Sequence, residues 1–141
     1  MSATKTKYHN KKVVIDGISF DSKREGERYL VLKQAEREGL ISELRRQVAF
    51  ELIPKVTQPV IKHFKRIPDR VEQKHIQDPI TYVCDFQYRK DGVLVVEDCK
   101  ISPKMIPADY RLKEKLFRWK FGFSIKRVYK PNEVICLWQN H

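Results

Sequence analysis

The sequence predicts an α/β domain that begins with a β-hairpin and continues in the order helix, three strands, helix, strand. Three kinds of observation support this order: tight-turn dipeptides, two segments with helix start and stop residues, and several alternating apolar segments. The chain has 141 residues, a length typical of one domain with its own hydrophobic core. We therefore expect a single domain over residues 1–141.

Two segments carry helix signals. The first begins after Ser22, a favoured N-cap residue, runs to about Glu38 and stops at Gly39. The second, Asp109–Phe121, ends before Gly122. Its apolar stripe is predicted to face the core, and the stripe consists of Leu112, Leu116 and Trp119.

The strands are predicted from alternation and from two Asp-Gly dipeptides, at positions 16–17 and 91–92, which favour two-residue hairpin turns. The predicted strands are Val13–Ile15, Ile18–Phe20, Gln47–Ile53, Ile80–Arg89, Val93–Ile101 and Phe123–Tyr129.

The segment Pro54–Pro79 is the least regular part of the sequence. It holds several prolines and basic residues, and only Val60–Phe64 is predicted as a short strand. The sequence therefore predicts a basic loop or extended excursion over 54–79. After Pro131, the apolar residues of the tail are expected to dock on the body: Val134, Ile135, Leu137 and Trp138.

The charge balance indicates a polyanionic partner. Lys and Arg number 29 against 18 Asp and Glu, which gives a net charge of +11. DNA is the expected partner, because a field of this sign attracts nucleic acid. A signal peptide or a membrane span is not expected, so the predicted location is the cytoplasm. The cysteines, predicted to be buried thiols, are Cys84, Cys99 and Cys136.

The turn at 91–92 sets a register that brings two acids together. With a two-residue turn, Asp85 lies directly opposite Asp98, and Val83 lies opposite Lys100. Because side chains alternate between faces, these four side chains share one face. Opposed like charges destabilise a sheet, so the arrangement favours a bound cation such as Mg²⁺, which prefers carboxylate oxygens. The alternative is a solvated surface ion-pair cluster.

The other face of the same two strands is predicted to be core, with Cys84 opposite Cys99. Glu97 falls on this apolar face and has three interpretations. It stands behind the site, it lies at an edge, or the register is shifted by one residue. A shifted register would place Glu97, rather than Asp98, at the site.

Glu25 is a third candidate acid. It lies three residues after Ser22, and this spacing is typical of a capping box, in which the glutamate returns to the N–H of the N-cap residue. Glu25 also lies on the helical stripe of Tyr29 and Leu32 that faces the sheet. From the residues alone, the capping role is favoured.

Asp85 followed by Asp98-Cys99-Lys100 resembles the PD-(D/E)XK nuclease superfamily. Over roughly residues 8–130 the chain also resembles a phage-encoded family, domain of unknown function 1064, with relatives similar to RecU-type Holliday junction resolvases. Two departures are that Cys84 replaces the signature proline and that Ile101 stands where glycine is expected. The blocks that carry this resemblance are Phe20–Glu25, Phe50–Pro54, Val96–Lys100 and Leu112–Phe117.

The resemblance implies a restriction-endonuclease-like core and a Mg²⁺-dependent DNA endonuclease, with Mn²⁺ as a substitute metal. It implies that Glu25, Asp85 and Asp98 hold metal together with the Cys99 backbone carbonyl, and that Lys100 assists catalysis. A homodimer that acts on branched DNA is the expected form. The residues expected to contact DNA are Lys62, Lys65, Arg66 and Lys113.

Two rival functions follow from the same residues. One is a non-catalytic DNA-binding protein on the same fold, which keeps the basic surface but does not cleave. The other is an RNA-binding module that stacks bases on Tyr82, Tyr88 and Trp119. The predicted core positions of these three aromatic residues, and the lack of an RNA-binding signature, argue against the RNA-binding module.

Overall fold

The structure is a computed structural model that describes residues 12–133 and 135. These residues form a mixed α/β arrangement of two helices and ten short strands in several small sheets. The helices are α1 (Lys23–Arg37) and α2 (Ala108–Phe121). The strands are β1 (Val13–Ile15), β2 (Ile18–Phe20), β3 (Ser42–Arg46), β4 (Ala49–Ile53), β5 (Val56–Lys62), β6 (Arg70–Gln77), β7 (Ile80–Val83), β8 (Phe86–Lys90), β9 (Val93–Cys99) and β10 (Lys126–Val128).

The predicted N-terminal hairpin and first helix are confirmed. Asp16 and Gly17 both have positive φ, 51° and 74°, as a type I′ turn between β1 and β2 requires. The hairpin lies close over α1, because a Cβ on Gly26 would stand 2.8 Å from the Ile15 side chain. Gly26 therefore allows the hairpin to cover the start of the helix.

The main sheet has four strands in the order β10-β9-β8-β3. β8 and β9 are antiparallel, and their register follows the turn at 91–92 as predicted, ending at the pair Phe86–Glu97. β10 runs parallel to β9, and α2 is the crossover between them. The edge strand β3 was not predicted, because its sequence is mostly polar and its residues are largely exposed.

The predicted strand Ile80–Arg89 is wrong as one element, because the chain changes partners at Cys84 and Asp85. The Cys84 N–H bonds the Val48 carbonyl, beside the β4–β7 pair, whereas the Asp85 N–H bonds the Glu97 carbonyl. Val83 is therefore paired with β4, and the predicted pairing of Val83 with Lys100 is wrong.

The break also separates side chains that were predicted to share one face. Tyr82 and Cys84 pack in a core cluster beside α2, whereas Phe86 and Tyr88 pack in a second cluster beside α1. Cys99 borders the α1 cluster, so the predicted pairing of Cys84 with Cys99 is also wrong. Both cysteines are free thiols, and Cys136 lies outside the described residues.

The segment 54–79 is a hairpin of β5 and β6 with a register shift between Val56 and Thr57. Of the two predicted alternatives the loop is wrong, and the extended excursion takes the form of two paired strands. The predicted strand Val60–Phe64 overlaps only the end of β5. The hairpin forms its own two-stranded sheet, and most of its residues are exposed on both faces. Without a buried face, the sequence has no apolar alternation that would predict the strands.

The bounds of α2 match the prediction closely, but of its predicted core stripe only Leu116 packs against the core. The helix buries Tyr110, Glu114 and Phe117. Leu112 and Trp119 are 55% and 78% exposed. Of the predicted tail contacts, Ile135 packs against the α1 cluster, and the remaining tail residues lie outside the described ones. Neither described helix is both long and apolar enough to cross a membrane.

Candidate active site

β9 lies between the two core clusters, and its alternation separates two adjacent acids. Val95 and Val96 pack in opposite clusters. The side chain of Glu97 consequently points towards α1, whereas Asp98 reaches the aromatic residues beside α2. The two acids therefore have different environments and different partners.

Asp85 stands one residue beyond the last β8–β9 pair, at the break between β7 and β8. Its Oδ2 accepts a hydrogen bond of 2.7 Å from the Cys99 N–H, so the side chain lies against the end of β9. This places the Asp85 carboxylate beside Asp98, as the predicted register requires.

Asp98 is 6% exposed, and both of its carboxylate oxygens have partners. Oδ1 lies 2.8 Å from Lys100 Nζ, and Oδ2 accepts a hydrogen bond of 2.6 Å from the Tyr82 hydroxyl. The Lys100 ammonium also lies 3.8 Å from the centroid of the Tyr110 ring, at cation–π distance. The Asp98 and Lys100 side chains are 8% and 17% exposed, which is inconsistent with the alternative of a solvated surface ion pair.

Glu25 reaches the same region from the first turn of α1. Its backbone N–H donates to the Ser22 hydroxyl at 3.2 Å, which confirms Ser22 as the N-cap. Burial raises the pKa of the Glu25 carboxyl, and the charges of Asp21 and Asp98 raise it further. Glu25 thus belongs to the electrostatic environment of Asp98, in addition to its place at the cap.

The crowding of acids has its largest effect on Asp85. Burial, followed by the charges of Asp98 and Glu25, raises the pKa of Asp85 to about 8. The Cys99 N–H and the Lys100 charge act in the opposite direction, but they do not compensate. One ammonium group therefore faces three carboxyl groups, so the site favours an additional cation or proton.

The structure decides among the three predicted interpretations of Glu97. This residue lies behind the site, and the register is not shifted. It is fully buried, and it receives two hydrogen bonds of 2.7 Å from the Arg28 guanidinium and one from the Tyr88 hydroxyl. Arg28 also donates to the carbonyls of Pro131 and Glu133. This buried ion pair holds α1 against β9 three residues after Glu25.

Sequence reasoning missed the partners that orient the acids. Arg28 was not selected, although it lies on the inward side of α1 with Tyr29 and Leu32. Tyr82 was assigned to the core alone, but its hydroxyl binds Asp98. A tyrosine at a predicted core position is the signal that could have identified Tyr82, since buried tyrosine hydroxyls usually have a partner.

The residues fit a hard divalent cation in chemistry, although they do not form a ready cage. In the part of the chain that the structure describes, no three His, Cys, Asp or Glu side chains are placed to hold a metal ion. Mg²⁺ commonly uses only one or two protein carboxylates and keeps several waters, so Asp85 and Asp98 suffice as donors. The ligand that the resemblance implies at Cys99 is the backbone carbonyl, not the thiol, and burial raises the pKa of that thiol.

The residues predicted to contact DNA are dispersed. Lys62 ends β5 and forms an ion pair of 2.9 Å with Glu72 on β6. Lys65 and Arg66 are exposed in the connection between β5 and β6. Lys113 is half-buried on α2, next to the buried Glu114. The first three residues thus form a basic tip on a hairpin that is separate from the carboxylate site.

The raised pKa of Asp85 predicts how stability depends on pH when no metal is present. The folded state favours the protonated carboxyl up to about pH 8, whereas the unfolded chain ionises near pH 3.8. The free energy of unfolding should therefore fall as pH rises between these values. Asp85→Asn should remove most of this decline and stabilise the protein by about 3 kcal/mol at pH 8, even if only half of the shift is realised.

Denaturant unfolding in EDTA at several pH values tests this expectation. The substituted asparagine can still accept the hydrogen bond from the Cys99 N–H, so the variant isolates the charge. Mg²⁺ should restore stability at pH 8 in the wild type and have little effect on Asp85→Asn. Equal pH profiles for the two proteins would show that Asp85 is not the titrating group.

Fold and site together define a mixed α/β protein with buried carboxylates and a lysine at the end of a central strand. The chain belongs to the family described as Protein of unknown function (DUF1064), whose model matches residues 5–131. No curated protein and no solved structure matches the chain significantly.

Proposed function

We propose that this protein is a metal-dependent DNA endonuclease of the PD-(D/E)XK type. The observation that carries the proposal is the placement of Asp85 beside Asp98, with Lys100 bonded to Asp98 in a largely buried site. An acid on one strand, followed by acid-x-lysine on its antiparallel neighbour, is the arrangement that the sequence resemblance implies.

The topology supports a restriction-endonuclease-like core without being specific to it. α1 packs on the four-stranded sheet, β8 and β9 form its antiparallel centre, and α2 leads to the parallel strand β10. This order follows the helix, strands, helix and strand of the predicted core. Of the additional strands, β4 and β7 pair with each other and β5 and β6 form a separate hairpin, so none of them interrupts β9.

In the proposed reaction, Asp85 and Asp98 would hold one or two Mg²⁺ ions, with Glu25 as the third acid of the site. A bound Mg²⁺ supplies a water of lowered pKa and neutralises charge on the scissile phosphate. Lys100 orients the attacking water or stabilises the negative charge that develops on the phosphoryl oxygens. Tyr82 and the Cys99 N–H fix the Asp98 and Asp85 carboxylates, which reduces the reorganisation that the reaction needs.

The proposed substrate is branched DNA, with four-way junctions in phage DNA processing as the expected case, cut by a homodimer. A net charge of +11 and the basic tip of the β5–β6 hairpin favour contacts with phosphates rather than with base edges. Symmetric cleavage of a junction needs two active sites, and a twofold dimer is the usual way to supply the second. The resemblance to RecU-type resolvases points to the same substrate.

The second candidate is a non-catalytic DNA-binding protein of the same fold. Two observations favour it: both oxygens of Asp98 already have protein partners, and no three-ligand group is formed among the described residues. For this candidate, Lys100 replaces the metal as the permanent counter-charge of the acids.

A cleavage assay on a panel of linear, flapped and four-way DNA, with Mg²⁺ and with EDTA, distinguishes the two candidates. We expect Mg²⁺-dependent cuts, with paired cuts on the four-way junction and a dimer in sedimentation. Binding without cleavage in Mg²⁺ or Mn²⁺ would favour the non-catalytic candidate. Single nicks by a monomer, with no preference for junctions, would retain the nuclease and exclude the resolvase.

A further inference from the structure

The outer face of α2 exposes a tryptophan among cations. The helix buries Tyr110, Glu114 and Phe117 on one side. At 3.6 residues per turn, Lys115 and Trp119 lie on the opposite side, and Arg111 lies on the flank one turn before Lys115. The Trp119 indole is 78% exposed. This exposure is unusual, because tryptophan side chains are highly buried on average. Such a residue indicates a binding surface rather than a contribution to the core.

The chemistry of this face is specific. Arg111 and Lys115 form no ion pair with any residue that the structure describes, and no described ring or cation stacks on the Trp119 indole. The stripe formed by Arg111, Lys115 and Trp119 carries no acid, because Glu114 points inward and bonds Arg127. Unpaired cations beside a free aromatic ring are the elements that proteins use to hold single-stranded nucleic acid.

The position of the stripe relates it to the carboxylate site. Tyr110, in the first turn of α2, contacts Lys100, and Arg111, where the stripe begins, is the next residue along the helix. The stripe ends at Trp119, eight residues further along, which is about 12 Å at 1.5 Å per residue. A strand that leaves the site along α2 meets the two cations first and the indole last.

We propose that Arg111, Lys115 and Trp119 form a binding stripe for single-stranded DNA, in which the cations contact phosphates and the indole stacks on a base. The stripe deepens the proposed function and rests on it, since it would hold an unpaired strand of a branched substrate near the cut. A second copy of the chain is a poorer occupant. Two such faces would bring four cations together without an acid between them.

Tryptophan fluorescence tests the stripe directly. The chain has two tryptophans, and Trp138 lies outside the described residues. In a Trp138→Phe background, Trp119 is the single indole, and an oligodeoxythymidine added in EDTA should quench its emission. Measured by anisotropy of the labelled oligonucleotide, Trp119→Ala should weaken binding by about 5-fold to about 150-fold. Trp119→Phe should restore most of the affinity.

The cations have a separate readout. Arg111→Ala combined with Lys115→Ala should lower the slope of log affinity against log salt by about 1.4, since each phosphate contact on a single strand contributes about 0.7. The control is Arg37→Ala combined with Arg45→Ala, which removes the same charge from exposed positions outside α2. This control should leave the slope and the quenching nearly unchanged.

Three results would overturn the stripe. They are an indole whose emission is unaffected by saturating oligonucleotide, an alanine variant at 119 that binds like the wild type, and emission that changes only with protein concentration. The last result would indicate self-association instead. Because binding is measured in EDTA, a chain that binds through Trp119 but never cuts would refute the nuclease and leave the stripe intact. Cleavage without quenching of the Trp119 emission would refute the stripe and leave the nuclease intact.

Discussion

Asp98→Asn is expected to lower the rate of DNA cleavage by at least about 100-fold and to leave DNA binding similar or tighter. Asparagine keeps the shape and can still accept the hydrogen bond from Tyr82. It removes the negative charge that Lys100 pairs with and that a divalent cation would bind. Because one negative charge near the phosphate is lost, affinity for DNA should not fall.

The measurement is a single-turnover cleavage assay beside a binding titration in EDTA. Asp91→Asn is the matched control, because Asp91 lies exposed in the β8–β9 turn with φ of 51°, a conformation that asparagine tolerates. This control should cleave like the wild type. Lys100→Ala should also cut the rate severely. Wild-type cleavage by Asp98→Asn would mean that the active-site assignment is wrong.

The register of the acids could be predicted because it depends on local signals. Asp91-Gly92 fixes a two-residue turn, and the pairs between β8 and β9 then follow by counting. The N-terminal hairpin and the ends of both helices were predictable for the same reason. In each case, neighbouring residues determine the backbone conformation, so the sequence contains the whole signal.

The structural features that the sequence did not predict depend on contacts between segments that are distant in the chain. The break at Cys84 and Asp85 arises because one stretch of chain pairs with β4 on one side and β9 on the other. No pattern within Ile80–Arg89 reveals that change of partners. The β5–β6 hairpin escaped prediction because neither of its faces is buried, and apolar alternation reports burial rather than strand pairing.

The orientation of α2 shows the same limit. Leu112 and Trp119 share one side of the helix, which suggested a core stripe, but the buried side carries Tyr110 and Glu114. Tyr110 contacts Lys100 and Glu114 pairs with Arg127, while Phe117 packs against Phe50 and Tyr82. These partners lie on other segments, so the apolar pattern of the helix alone does not show which side is buried.

The buried pair of Arg28 and Glu97 should give the largest effect on stability. Arg28→Ala leaves the Glu97 carboxylate, in a site with no exposed surface, with Lys126 at 3.9 Å as its remaining cationic partner. It also removes donors from the carbonyls of Pro131 and Glu133. Breaking a buried pair in this way costs about 3–5 kcal/mol of unfolding free energy. The exposed pair Arg89–Glu43 is the matched control, and Arg89→Ala should cost no more than about 1 kcal/mol.

Replacing both Arg28 and Glu97 distinguishes the loss of their attraction from the cost of a buried carboxylate that keeps only the more distant Lys126. Arg28→Met combined with Glu97→Leu removes both charges at once, and apolar replacements of a buried pair are often neutral. We therefore expect denaturant unfolding to show that the double variant regains most of the stability lost in Arg28→Ala. A double variant no more stable than Arg28→Ala would show that the bonds themselves hold α1 on β9. A loss below about 1 kcal/mol in Arg28→Ala would contradict the burial of the pair.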